Sequence, residues 1–242
     1  MRARPISRTH PPLPVIEEES ASARPAAPFE AAHLRWMNQL SRSLQDWYCN
    51  APLDKHGHYA HACSQIGTCL RRKSPALLLG NLGLEDLPPD VWKMTWLTQL
   101  HIGGNALSHI PQEIGQLVSL SHLLAGGNHI RLVDDNIKQL QKLEVLDLSA
   151  NDLSRPPRDL HVLRSLRYLY LQGNPMQELP GNISQFPQGC TIMTSALPTA
   201  ALAQMSHYDT DCFTLPGRSD GPVVFIDRRC PMLWLPHPRL MA

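Results

Sequence analysis

No apolar run in these 242 residues approaches the roughly 20 that a bilayer-spanning helix requires, the longest clear stretch being Val223-Val224-Phe225-Ile226. A secretory leader is missing too, because Arg2, Arg4, Arg8 and several prolines occupy the place of an apolar segment, so general export is not expected. Charge of one sign is not in excess: 22 basic residues face 21 acidic ones, a formal net of +1, and the balance calls for neither nucleic acid nor an anionic membrane as partner. The six cysteines (Cys49, Cys63, Cys69, Cys190, Cys212, Cys230) contain no Cys-x-x-Cys pair. A chain with 43% apolar residues can build a core without disulfide staples, so reduced thiols in a cytosol are expected. Phenylalanine and tyrosine are scarce, at 4 and 5, against 22 prolines, an unusual ratio for a compact enzyme. Gly-x-Ser-x-Gly, Gly-x-x-x-x-Gly-Lys, His-Glu-x-x-His and Gly-x-Gly-x-x-Gly are all absent.

What is present is a repeat. Leu77, Leu100, Leu123, Leu146 and Leu169 follow one another at 23 residues without a gap. Two residues on stand Leu79, Ile102, Ala125, Leu148 and Leu171; five on stand Leu82, Asn105, Asn128, Asn151 and Asn174; and Leu84, Leu107, Ile130, Leu153 and Met176 form the next column. Pro88, Pro111, Pro157 and Pro180 mark the turn, with Asp134 in their place in the third repeat. This is the leucine-rich-repeat pattern, at a period inside its range. It predicts an α/β repeat solenoid of about five 23-residue repeats, a horseshoe with a parallel sheet on its concave face. The Leu-x-Leu portion is a short strand with both leucines inward. The asparagines Asn105, Asn128, Asn151 and Asn174 form a structural ladder, since an amide supplies both donors and an acceptor for backbone groups the turn leaves unpaired. Val91, Ile114, Ile137, Leu160 and Ile183 supply the far wall, and a worn sixth repeat begins at Cys190-Thr191-Ile192. At about 4.8 Å per strand the sheet is roughly 25 Å long.

Both open ends of such a stack need covering. Phe29, Trp36, Leu40, Leu44 and Trp47 fall at helical spacing, as do Tyr59, Ala62, Ile66 and Leu70 after the break at Ala51-Pro52, which predicts a two-helix N-terminal cap. Downstream, Thr199 to His207 reads as a short helix and Val223 to Ile226 as a strand pairing with the last edge. The domain plan is therefore residues 1–28 disordered, 29–73 helical cap, 74–197 repeat domain and 198–242 C-terminal cap and tail.

The caps carry a resemblance. Trp47 with Ala51-Pro52, the helix end Cys69-Leu70, then Ser74-Pro75-Ala76-Leu77-Leu78-Leu79 and Leu82-Gly83-Leu84-Glu85-Asp86-Leu87-Pro88 resemble the start of the first repeat in leucine-rich-repeat effectors that bacteria inject into host cells by type III secretion. Leu179-Pro180, Cys190-Thr191-Ile192 and Gly221-Pro222-Val223-Val224-Phe225 are similar to that family's exit, so that the resemblance covers about residues 34–227. It implies a translocated, non-enzymatic protein that reaches the host cytoplasm and binds a host protein. It also implies that residues 1–28 are an export signal read while unfolded, with a secretion chaperone as a further partner. Longer members carry a ubiquitin-ligase domain with a Cys-x-Asp nucleophile motif, and none of the six cysteines here has aspartate two residues on. Two alternatives stay open: a substrate-recognition part of a ligase whose catalytic domain is lost or encoded separately, and a scaffold acting in its own cell. The proline-rich tail from Cys230 reads either as a frameshifted end or as a short docked segment.

Function on this fold lives on the concave sheet, at the positions flanking the inward leucines. Those are Gln99 and His101, His122 and Leu124, Val145 and Asp147, and Tyr168 and Tyr170, with Ser149 and Gln172 beside them. The two tyrosines on one strand, extended by Leu124 and Val145, make an apolar strip suited to a protein partner. His101 and His122 are read as ordinary surface histidines, with pH-sensitive binding as the alternative reading. No cofactor and no metal is expected: His56, His58, His61 and Cys63 are the one metal-like cluster, lying on or before one cap helix, and His58, His61 and Cys63 cannot all face one point. Asn182-Ile183-Ser184 is a chance glycosylation sequon in a cytosolic chain, and Gly103-Gly104 and Gly126-Gly127 are read as tight turns.

Overall fold

The computed structural model describes residues 40–195 except 177, 179 and 181, together with the strands Cys212–Thr214 and Val223–Ile226. All of this belongs to the unit Leu40–Ala242, with Met1–Gln39 a separate one. Phe29, Trp36, the 199–207 helix and the tail from Cys230 lie outside the described residues.

Helix α1 is Arg42–Cys49 and α2 is His56–Arg72. The helical spacing that begins in the sequence before Leu40 is interrupted: Ser41 has extended backbone and its hydroxyl caps Leu44 N, which starts the helix at Arg42. Leu44 and Trp47 of α1 and Tyr59, Ala62 and Ile66 of α2 are buried, with Trp47 and Tyr59 rings 4.5 Å apart. Helix α2 ends on Lys73 in the left-handed region and turns at once into the first strand, where Cys69 Sγ donates to Ser74 O at 3.4 Å.

Strand β1 is Ala76–Leu78, β2 Gln99–His101, β4 His122–Leu124, β6 Val145–Asp147, β7 Tyr168–Tyr170 and β8 Thr191–Thr194. They pair in parallel in that order, and every residue faces the one 23 positions on, from Leu77↔Leu100 to Leu169↔Ile192. The single strong period in the sequence leaves no other register, because a one-residue slip would turn each leucine outward. Strands β9 (Cys212–Thr214) and β10 (Val223–Ile226) complete the sheet, with β10 parallel to β8 and β9 antiparallel to β10. The expected pairing of 223–226 with the last repeat edge is thus present.

Opposite the sheet, the wall is built from short helical turns: α3 (Pro89–Trp92) and 3₁₀ turns at Gln112–Gln116, Asp135–Gln139, Leu160–Val162 and Ile183–Gln185. Val91, Ile114, Ile137 and Leu160 are almost wholly buried there, whereas Ile183 is half-buried and Phe186 takes the inward place. Two short strands, β3 (His109–Ile110) and β5 (Leu132–Val133), pair beside this wall. Between sheet and wall the apolar columns are 0–6% exposed, and each fully buried leucine contributes about 1.5–3 kcal/mol.

The amide ladder runs through this core. Each Nδ2 donates to the carbonyl three residues back and to one in the preceding repeat: Asn128 to Ala125 O and Ile102 O, Asn174 to Leu171 O and Leu148 O. Each Oδ1 accepts from the preceding repeat, Leu107 N for Asn128 and Leu153 N for Asn174. The first repeat has Leu82 in the ladder column, and Asn105 Oδ1 accepts from both Leu82 N and Leu84 N. Among the described residues no helix is long and apolar enough to cross a membrane.

Candidate functional site

Alternation along each strand sends the leucines into the core and the residues beside them to the open face. Register then lines these outward residues up in columns. The first reads Gln99, His122, Val145, Tyr168, Thr191, and the second Leu78, His101, Leu124, Asp147, Tyr170, Met193. A third, just past the strands, reads Gly80, Gly103, Gly126, Ser149, Gln172.

The structure brings all ten sequence-predicted face residues to this surface, but not equally. Tyr168 is 42% exposed; Gln99, His101, His122, Leu124, Asp147, Ser149, Tyr170 and Gln172 are half-buried. Val145, expected as part of an exposed apolar strip, is buried at 6%. Its register neighbours on the two flanking strands are His122 and Tyr168, both larger. Leu78, at 60% exposure, is a face residue that the sequence reading passed over. Its signal was available, since it stands 23 residues before His101 in the second column.

The two ends of the face differ in chemistry. Toward the N-terminal repeats the glycines leave a floor on which side chains lie flat: a Cβ at Gly80 would sit 3.1 Å from the His101 ring. Burial lowers the His101 pKa, and the negative charge of Asp147 works the other way. Toward the C-terminal repeats the Tyr168 and Tyr170 rings are parallel within 10°, with centroids 6.4 Å apart. Burial raises the Tyr170 pKa, and the charge of Asp147 adds to the shift.

Asp147 links the two ends. Its Oδ1 accepts from Ser149 N at 2.9 Å and Ser149 Oγ at 2.6 Å, and the carboxylate lies over Gly126, where a Cβ would stand 3.0 Å from both of its oxygens. The three ion pairs among the described residues are Lys55–Glu85, His129–Asp152 and Arg167–Glu144, so Asp147 has no cation opposite it there.

The metal-like group of histidines and Cys63 is dispersed by its hydrogen bonds. His56 Nε2 pairs with Ala51 O, His58 Nδ1 with Leu82 O, His61 with Gln65, and Cys63 Sγ points to Leu44 O inside the core. Burial, with smaller contributions from Asp90 and Cys49, pushes the Cys63 thiol up to about 12, and burial does the same for Cys190. Neither is poised as a nucleophile.

Comparison with known proteins agrees with the repeat. Residues 131–176 match the family model described as leucine rich repeat. No curated protein matches the chain. Among solved structures, it is similar to a leucine-rich-repeat protein of Leptospira interrogans, at 35% identity over 38% of this chain and 23% of that one, TM-score 0.37. It is similar also to the functional domain of InlJ from Listeria monocytogenes, at 28% identity over 47% and 24%, TM-score 0.39. YopM from Yersinia enterocolitica aligns at 27% identity over 64% of this chain and 33% of its own, TM-score 0.47. The chain thus spans a third or less of the length of each of these structures. The family-model match, the 23-residue strand register and the asparagine ladder together make this a leucine-rich-repeat fold.

Proposed function

We propose that the chain is a protein-binding module that acts by occupancy, recognising a host protein through the open face of its sheet after delivery by type III secretion. Its architecture on this reading is about five repeats closed at the first strand by α1 and α2. The observation that carries the binding role is the parallel Tyr168–Tyr170 pair on one strand, one ring exposed and the other half-buried, aromatic area of the kind that anchors protein interfaces. The delivery role leans on the cap. Within the entry segment that resembles the effector family, Trp47 Nε1 donates to Asp86 Oδ1 at 2.7 Å, and Glu85 N donates to the hydroxyl of Tyr59 on the intervening helix. A role without catalysis fits the raised pKa values of the buried Cys63 and Cys190 thiols.

Two experiments test this. Residues 1–50 fused to a calmodulin-dependent cyclase should raise host cyclic AMP only from bacteria with a working type III apparatus; a well-expressed fusion with no signal would leave a scaffold of its own cell. The full chain should form no ubiquitin thioester when offered a charged conjugating enzyme, and a thioester on any cysteine would replace occupancy with ligase chemistry.

A further inference from the structure

We infer that the corner formed by Asp147, Tyr168 and Tyr170 is a seat for a cationic side chain, arginine or lysine, supplied by a protein partner. This rests on the reading of the sheet face as a protein-binding surface and names the chemistry that it selects.

Charge complementarity is the first argument. Asp147 is a half-buried carboxylate on the open face, outside the three ion pairs of the described residues. Both hydrogen bonds given to it, from Ser149 N and Ser149 Oγ, fall on Oδ1 and come from neutral donors. They fix the group in place without neutralising it. A partly desolvated carboxylate held in this way gains more from a charge-assisted contact than a freely rotating surface one, because its orientation is already set.

The second argument is the aromatic pair. Tyr170 is the register partner of Asp147, and Tyr168 shares its strand and its ring orientation. A cation on the face of an aromatic ring is stabilised by about 0.5–2 kcal/mol, and the planar guanidinium adds stacking to the attraction. Register thus sets a carboxylate on the strand next to an aromatic pair, and its charge is felt at Tyr170, so that groups for both modes of cation recognition stand side by side. Phosphate-bearing ligands are disfavoured by the same carboxylate, which makes a basic protein segment the occupant and not a nucleic acid.

The test immobilises the full chain and selects from a displayed library of random peptides. Selected peptides are re-measured against the wild type, Asp147→Asn and the double variant Tyr168→Ala/Tyr170→Ala, each checked for an unchanged thermal transition. Asp147→Asn keeps the Oδ1 acceptor for Ser149 and removes only the charge. The expected result is a recurrent arginine or lysine in the peptides, with binding weakened about tenfold or more by Asp147→Asn and by replacing that basic residue with glutamine. Selection that enriches no basic peptide, or basic peptides indifferent to Asp147→Asn, overturns the cation seat. Non-basic peptides that depend on the tyrosines would overturn it while leaving the binding face intact. Peptides indifferent to both variants would overturn both readings.

Discussion

Asn151 Nδ2 donates to Ala125 O, in the preceding repeat, at 3.1 Å, while its Oδ1 accepts the Ile130 amide at 2.9 Å. One buried side chain thus fastens two repeats through both ends of its amide. It also donates to Leu148 O and Ser149 O within its own turn. Replacing it with alanine would strand a buried amide and at least one buried carbonyl, each costing about 1–3 kcal/mol. We therefore expect Asn151→Ala to lower unfolding free energy by about 3 kcal/mol or more in urea titration. A loss under about 1 kcal/mol would mean that water or a rearranged turn takes over the ladder position.

The position just before each ladder residue is a second column. Asn81, Gly104, Gly127, Ala150 and Gly173 all have φ between +48 and +73°, so the turn requires a left-handed residue every 23 positions. Asparagine tolerates this region better than other L-residues, so Ala150 is the member for which it costs most, of the order of 1–2 kcal/mol. Ala150→Gly should stabilise the chain by about 0.5–1 kcal/mol once the greater freedom of the unfolded glycine is set against relief of strain. Gly104→Ala should do the opposite and by more, because its Cβ would collide with Asn81 Oδ1. Thermal unfolding of the two variants checks the signs, and the same sign for both would remove the conformational explanation.

These two columns show what the sequence discloses and what it hides. Leu100 and its equivalents announce the strands because a constant 23-residue spacing has one consistent register, and the ladder asparagines follow from the unpaired backbone that any such turn creates. The left-handed column is half concealed, since Asn81 and Ala150 interrupt the run of glycines. On the face, alternation tells which side Val145 takes but not that it is buried there between the strands carrying His122 and Tyr168, because burial depends on how neighbouring side chains pack. The same limit applies to Asp147, whose position over Gly126 and bonds to Ser149 come from side-chain torsions that no periodicity encodes. The start of α1 at Arg42 was legible in part, Ser41 being a good cap, but apolar spacing running back to Phe29 masked it.

Thiol chemistry gives a third expectation. Cys49 is exposed, whereas Cys63, Cys69 and Cys190 are buried, with burial raising the pKa of all three. Iodoacetamide at neutral pH followed by mass spectrometry should mark Cys49 quickly and leave these three unmarked until denaturant is added. The raised values also fix the alkaline behaviour. For Cys63 and Cys190 the folded pKa is about 12 against an ordinary 9.0, so the folded state holds its protons longer. Their contribution to stability is complete below about pH 9 and is lost as pH climbs toward 12, at up to about 1.4 kcal/mol per pH unit for each thiol. Cys190→Ala should reduce that alkaline slope, though it also removes packing and lowers stability at neutral pH.

His101 works in the opposite direction. Burial holds its folded pKa below the ordinary imidazole value of 6.5, with Asp147 only partly restoring it, so the unfolded chain binds the proton more readily. The stability owed to a neutral His101 is present above about pH 6.5 and is lost as pH falls below that value toward the folded pKa. Its ring rests against Gly80, and a glutamine there keeps polarity and similar reach without the titration. The expected outcome is that the urea midpoint of the wild type falls between about pH 7.5 and 5.5 by more than that of His101→Gln. Identical falls would assign the acid sensitivity to other groups. Because protonation of His101 also places a positive charge near Asp147, a peptide held by that carboxylate should bind more weakly at the lower pH in the wild type, and this added loss should vanish in His101→Gln.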